Sequence, residues 1–183
     1  MPKIVDHEKY REELWKGAFP IFIEKGYLPV TMRELAQVLN VSTGTLYHYF
    51  ETKEILFETM VRFVIGEDLS QLEERWKLKG ENVSENSEIL IEYLESKSSH
   101  FQSLLVLALD IHRNSDLKLK FSSLLNESFL QFQRILESRF ESKGEFLLSY
   151  IIGELYKNLI IGHPIRWGHN LKEVLKSFQF SII

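Results

Sequence analysis

Apolar residues recur at helical spacing along nearly the whole chain, and no stretch alternates apolar and polar residues as a strand would. Leu14, Ala18 and Phe22, with Trp15 and Phe19 beside them, give a first helix one apolar face. Gly26 follows where that helix must stop, at a position that favours a residue able to take positive φ. Pro20 lies inside the same helix, where it removes a backbone donor and predicts a kink or a shift to tighter turns. The segment TMRELAQVLNVSTGTLYHYF (31–50) then reads as two short helices joined by a tight turn. Thr31 and Glu34 form a capping box, and Leu35, Val38 and Leu39 supply the buried stripe of the first of the pair. Asn40 tolerates the left-handed turn, and Ser42 caps a second helix whose Leu46 and Phe50 face inward. Thr52 caps the next helix, with Ile55, Leu56, Thr59, Met60 and Phe63 as its inward stripe, running to about Trp76. LKGEN (78–82) is a break. Beyond it the pattern predicts helices over about 84–97, 100–113, 115–142, 145–162 and 169–180, separated at Asn114-Ser115-Asp116, Lys143-Gly144 and Gly162-His163-Pro164. The expectation is an all-α chain of about nine helices.

The second helix of the 31–50 pair has an unusual outer face. At about 100° per residue, Gly44 and His48 lie opposite Leu46, with Thr45 and Tyr47 on the flanks. Glycine inside a helix costs about 1 kcal/mol against alanine, and close approach to another surface is one reason to keep it. A helix-turn-helix puts the N-terminal part of its second helix into a DNA groove. An αα-hairpin packed in a bundle, with Gly44 as a contact point, meets the same pattern, so both readings stand on this stretch alone.

The flanks add to it. From about Tyr10 to Val61 the chain resembles the DNA-binding domain of TetR-family transcriptional regulators. The matching residues are Ala18, Phe22, Gly26, Tyr27, Thr31, Leu35, Ala36, Val41, Ser42, Gly44, Leu46, Tyr47, Tyr49, Phe50, Lys53 and Glu54. The resemblance implies a DNA-binding domain over 4–64 with its helix-turn-helix at 31–50, and a helical ligand-binding and dimerisation domain over 65–183. It implies a double-stranded DNA operator as partner, read by a homodimer as a palindrome, and release by a small-molecule effector. DNA-contacting candidates are Thr31, Arg33, Ser42, Thr43, Gly44, Thr45, Tyr47, His48, Tyr49 and Lys53, with Tyr47 and Lys53 expected to project outward to phosphates. Two features depart from the family. Thr43 stands where members often carry lysine, and the outer face of the second helix has neither Arg nor Lys. Arginine to guanine is the commonest specific base contact, and this helix cannot make it.

Charge changes the picture a little. The chain of 183 residues has a formal net charge of −4, and residues 1–62 hold eight Lys and Arg against nine Asp and Glu. The segment is thus not basic overall, which counts modestly against nucleic-acid binding, but Lys3, His7, Lys9, Arg33, Lys53 and His48 could still line one side. The lack of cysteine excludes disulfides and Cys-based zinc sites. MPKIVDHEKY lacks a signal-peptide core and LLVLAL (104–109) is too short to span a bilayer, so a cytoplasmic location without membrane contact is expected. No GxSxG, phosphate loop, HExxH or carboxylate cluster points to an enzyme, and no cofactor is implied. His163 and His169 read as helix-end or surface histidines, because a metal site needs three or four convergent ligands.

FLLSYIIGELYKNLIIG (146–162) is apolar on more than one face, and a helix of that kind must be buried nearly all round. A partner subunit is one way to do so. With the stripe of the terminal helix, it gives a candidate dimer interface of Leu148, Ile152, Leu155, Leu159, Leu171, Val174, Leu175 and Phe178. An intrachain core would use the same residues. Aromatic residues are 13% of the chain, and an apolar pocket in the second domain would be walled by Phe101, Leu105, Leu109, Phe129 and Phe132, with His112 or Arg113 as polar fixers. A solid core would look alike from sequence. The reading is an all-α TetR-like regulator, most simply a repressor released by a hydrophobic or amphipathic effector. A ligand-independent dimeric DNA-binding protein, or a helical small-molecule-binding protein or enzyme without DNA, remain the alternatives.

Overall fold

The computed structural model of the chain describes the backbone of residues 6–162 and 164–179, and the side chains of that span other than 170 and 176–179. The described residues form eight α-helices and one 3-10 turn, with no strand: α1 (His7–Lys25), α2 (Met32–Val38), α3 (Thr43–Tyr49), α4 (Lys53–Lys79), α5 (Val83–Arg113), α6 (Ser115–Phe140), the turn Glu141–Lys143, α7 (Gly144–Ile161) and α8 (Trp167–Gln179). Two of the expected helices are one. The stretch SKSSH (96–100) does not interrupt α5, because its serine hydroxyls turn back onto the helix's own carbonyls. Ser96 donates to Tyr93, Ser98 to Leu94, and Ser103 just beyond does the same to Ser99. A hydroxyl bonded inside its own helix no longer competes for the backbone in another conformation. Pro20 also fails to break its helix; α1 runs through it with Pro20 exposed.

The chain divides into two compact units, Met1–Ile65 with Val106–Leu124, and Gly66–Leu105 with Leu125–Ile183. In the first, Leu14, Trp15, Ala18, Ile21 and Phe22 of α1 are buried with Leu35 and Ala36 of α2, Leu46 of α3, and Leu56, Phe57 and Met60 of α4. Val38, Ile55 and Phe63 depart from the expected inward stripes and are exposed. For Phe63 the exposure is one-sided, since its ring stacks on Trp15 at 5.1 Å. The segment 106–124 adds Leu107, Ile111, Leu117 and Phe121 to this unit's core.

Phe121 enters a group of rings. It meets Tyr27 and Phe57 edge-on or tilted, each at 5.0 Å, while Phe22 lies against both of those rings. Beside the rings, Lys120 donates to Glu54 at 3.0 Å. That hydrogen bond holds the Glu54 carboxyl well below its ordinary value, at about 2.

The second unit is built on Leu72 and Trp76 of α4, Ile89, Leu90, Ile91, Tyr93 and Leu94 of α5, Leu136 and Phe140 of α6, Leu147, Ile151 and Leu155 of α7, and Trp167, Leu171 and Leu175 of α8. One carboxylate lies within it. Asp68 is buried, with His100 Nε2 at 2.6 Å, Lys97 Nζ at 3.5 Å, and the Tyr93 hydroxyl donating to its backbone carbonyl at 2.8 Å. Burial, and then the Asp68 charge, push the Tyr93 phenol well up, so it stays a donor throughout the accessible range. A buried charge without such partners would cost several kcal/mol.

The Glu54–Lys120 pair makes acid stability testable. Because the folded carboxyl titrates near 2 and its ordinary value is 4.5, the contribution is complete above about pH 4.5 and disappears as the pH falls towards 2. Both side chains are substantially exposed, so screening keeps the effect small. Glu54→Gln is expected to flatten the dependence of denaturant stability on pH in that window and leave it unchanged in shape above pH 5. An unaltered acid limb would show that the pair contributes nothing.

Candidate nucleic-acid interface

Local chemistry sets the helix-turn-helix. Thr31 Oγ1 accepts from Glu34 N at 3.2 Å and starts α2. The reciprocal half of the capping box is not made, because the Glu34 carboxylate is drawn to Lys25 at 2.5 Å, a charge-assisted bond stronger than one to a neutral amide. Asn40 takes φ 54° and turns the chain, as its residue type suggests. Ser42 Oγ accepts from Thr45 N at 2.9 Å and shares a hydrogen bond with Thr45 Oγ1 at 2.7 Å. Leu46 and Phe50 are fully buried, which fixes the opposite side of α3 outward.

On that side Ser42, Thr43, Gly44, Tyr47 and His48 are exposed and Thr45 is half-buried. A Cβ added at Gly44 would touch only Ser42 Oγ, at 3.7 Å, so nothing inside the chain requires glycine here. Tyr49 is turned aside. Its hydroxyl bonds His7 Nδ1 at 2.8 Å, and its ring packs on Tyr10 and His48, tying α3 to the start of α1. Nothing in the local pattern signals that link, since 42 residues separate His7 from Tyr49.

The cations are unevenly placed. Lys53, expected to project outward, instead points back over the connection between α1 and α2. Its ammonium donates to the carbonyls of Val30 (2.8 Å), Tyr27 (3.0 Å) and Leu28 (3.4 Å) and sits 4.1 Å from the Tyr27 ring centre. Carbonyls left free by the turn attract it, and its partial burial lowers its pKa. Lys16 pairs with Glu12 and Lys25 with Glu34, while the Arg11 guanidinium lies over the Phe50 ring. Among the described residues of 6–53, Lys9 and Arg33 are exposed cations with no carboxylate partner.

The other candidate sets scatter. Phe101, Leu105, Phe129 and Phe132 belong to the second unit, with Phe101 and Phe132 half-buried and edge-to-face at 5.8 Å. Leu109, His112 and Arg113 belong to the first unit and are exposed, so the expected polar fixers do not join those rings within one unit. Of the candidate interface residues, Leu155, Leu171 and Leu175 are buried in the second unit's own core, where α8 also bonds α5 through Trp167 and Ser98. Leu148, Ile152 and Val174 are half-buried, Leu159 is exposed, and Phe178 lies outside the described side chains. The face of α7 left open carries Tyr156, Leu159 and Ile160, at 49%, 41% and 62% exposure, beside Ile152. His169 is exposed and His163 lies outside the described residues. Among the described residues no three His, Asp or Glu side chains converge as a metal site, and no helix is long and apolar enough to cross a membrane.

Comparison with known proteins bears on the same segment. Residues 14–60 match the model for bacterial regulatory proteins of the tetR family. The chain is 33% identical over 64 residues to the HTH-type transcriptional regulator PksA of Bacillus subtilis, covering 35% of this chain and 31% of that one. It is 32% identical over 90 residues to the HTH-type transcriptional repressor AcnR of Corynebacterium diphtheriae, covering 49% and 40%. The matched stretch thus spans about a third of the length of such relatives. Over nearly the whole chain the fold is that of E. coli NemR in its reduced form, with a TM-score of 0.71 at 16% identity, covering 94% of this chain and 97% of that one. The sequence match falls on the capped helix pair and on the helices that carry it: residues 14–60 of this chain are a helix-turn-helix domain of the TetR family of bacterial regulatory proteins.

Proposed function

We propose that the chain is a transcriptional regulator that binds double-stranded DNA through α3 and acts as a repressor, with no catalytic step of its own. The observation that carries this reading is the exposed Thr43-Gly44-Tyr47-His48 face, held rigid by two side-chain caps and backed by buried Leu46 and Phe50. Tyr47 offers a phenol to a phosphate, and Lys9 and Arg33 supply the positive charge. AcnR and PksA, which share the domain, are named as repressor and regulator, in keeping with this role.

The operator is a palindrome in this reading, because two copies of one recognition helix come from a symmetric pair of chains. The open face of α7 supports the pairing. Ile152, Tyr156, Leu159 and Ile160 fall within about 100° of one another around the helix, an apolar stripe wide enough for a partner's equivalent helix. An apolar or amphipathic effector held against Phe101, Leu105 and Phe132 would change operator affinity only through its different affinity for two states of the dimer.

Selection of bound sites from random duplex DNA is expected to return a palindromic sequence, and equal affinity for selected and random duplexes would end the reading. With Lys9 and Arg33 neutralising phosphates in each of two chains, log Kobs against log[salt] should fall with a slope of about −4. A slope near −10 would mean that Lys16, Lys25 and Lys53 leave their internal partners on binding. Lys53→Met keeps the aliphatic stem and removes the ammonium from three carbonyls. It is expected to lower stability by about 1–2 kcal/mol, the lower part of the range for charged hydrogen bonds because the group is partly screened. A variant as stable as the parent but weak on DNA would restore the direct phosphate role. Tyr156→Glu with Ile160→Glu should give folded monomers in sedimentation and lose tight operator binding. Dimers that persist would place the interface elsewhere.

A further inference from the structure

The outer face of α3 is defined as much by the groups already engaged as by those left free. Ser42 and Thr45 use their hydroxyls on each other and on the cap of α3, and Tyr49 uses its own on His7. No Arg or Lys occurs between residues 34 and 52, and Lys53 is bonded inward to three carbonyls. The fork of donors that grips guanine O6 and N7 is therefore absent from α3, which also holds no Asn or Gln for the two-point contact to adenine. What remains exposed, apart from the Tyr47 phenol assigned above to a phosphate, is small: the methyl and hydroxyl of Thr43, the bare backbone of Gly44, and the His48 ring.

That surface is complementary to one feature of the major groove, the C5-methyl group of thymine, which threonine methyls contact and no other base presents. We propose that the recognition helix reads thymine methyls in an A·T-rich half-site, with Thr43 as the specificity-determining residue. Gly44, exposed and without a side chain of its own, permits the close approach that methyl-to-methyl contact requires. His48 supplies one hydrogen bond to a base edge and cannot make a two-point contact with guanine. The proposal rests on the DNA-binding reading above and sharpens it by naming the chemistry of the operator.

The test uses the full chain and the duplex that selection returns. Thymines of the selected half-site are replaced one at a time by deoxyuridine, which removes the methyl and leaves every hydrogen-bonding group. At a contacted position binding is expected to weaken about fourfold, the value of one buried methyl-sized group. Thr43→Ser, which keeps the hydroxyl at an exposed position, should weaken binding to the thymine duplex by a similar factor. At one position it should also abolish the difference between thymine and deoxyuridine. Unchanged melting of Thr43→Ser separates this loss from damage to the fold. Selection of a defined site in which every deoxyuridine duplex binds as well as its parent, or in which guanine is the invariant base, would overturn the thymine proposal while leaving the regulator reading intact. Failure to enrich any sequence would overturn both.

Discussion

Four aromatic rings hold the first unit in shape: Phe22 from the end of α1, Tyr27 from the turn after it, Phe57 from α4 and Phe121 from α6. Their centres lie 4.9 to 6.0 Å apart, mostly edge-on, the arrangement that aligns a ring's positive rim with its neighbour's negative face. Tyr27 is the pivot. It touches the other three rings, and the Lys53 ammonium rests on its face while bonding the carbonyls around it. The turn from α1 to α2 is thus fixed from below by rings and from above by a cation. Gly26 lets the chain enter it at φ 76°, where an added Cβ would also strike Asp110 at 2.6 Å. Since α2 and α3 follow directly from this turn, the direction of α3 depends on it.

The same economy of charge shapes how the unit meets a polyanion. Lys16, Lys25 and Lys53 all have internal partners, and a net charge of −4 gives no long-range attraction to DNA. In the proposed DNA-binding role, affinity would therefore rest on Lys9 and Arg33 together with short-range fit: a face that approaches closely, hydroxyl donors to phosphates, and a second copy of the module. Non-specific binding, which is almost wholly electrostatic, would be correspondingly weak in that role. A low background raises the ratio of specific to non-specific binding even when absolute affinity is modest.

In the second unit the apolar core surrounds one polar knot. Asp68 of α4 is held by His100, Lys97 and Tyr93 of α5, and Arg75 lies over the Tyr93 ring. Apolar side chains can slide past one another at little cost, whereas a buried carboxylate with several directional partners has one register. The knot thereby sets how α4 and α5 align in this unit. The open stripe of α7 is the contrasting case: apolar, without internal partners to define it, and free to be satisfied by another surface.

Helices, caps and turns were legible in the sequence because their causes are local. Thr31, Ser42 and Thr52 cap the helices that follow them, Asn40 and Gly26 take positive φ, and Leu46 and Phe50 are buried, all within reach of a few neighbouring residues. The motif at 31–50 was recognisable for the same reason. Local signals also misled where a side chain had two uses. The gap expected between helices at 84–97 and 100–113 is absent, with the serines there bonded back into α5, and Glu34 left its capping box for Lys25. The partners that come from afar were settled only by tertiary structure. Lys53 turns inward because the turn after α1 presents three carbonyls to it, and Phe121 joins a core formed some sixty to a hundred residues earlier. Leu155, Leu171 and Leu175 looked free for a partner, yet α8 folds back and buries them in their own unit, leaving Tyr156, Leu159 and Ile160 outside. Periodicity tells which side of a helix is apolar; which of several apolar sides meets its own chain depends on where the other helices lie.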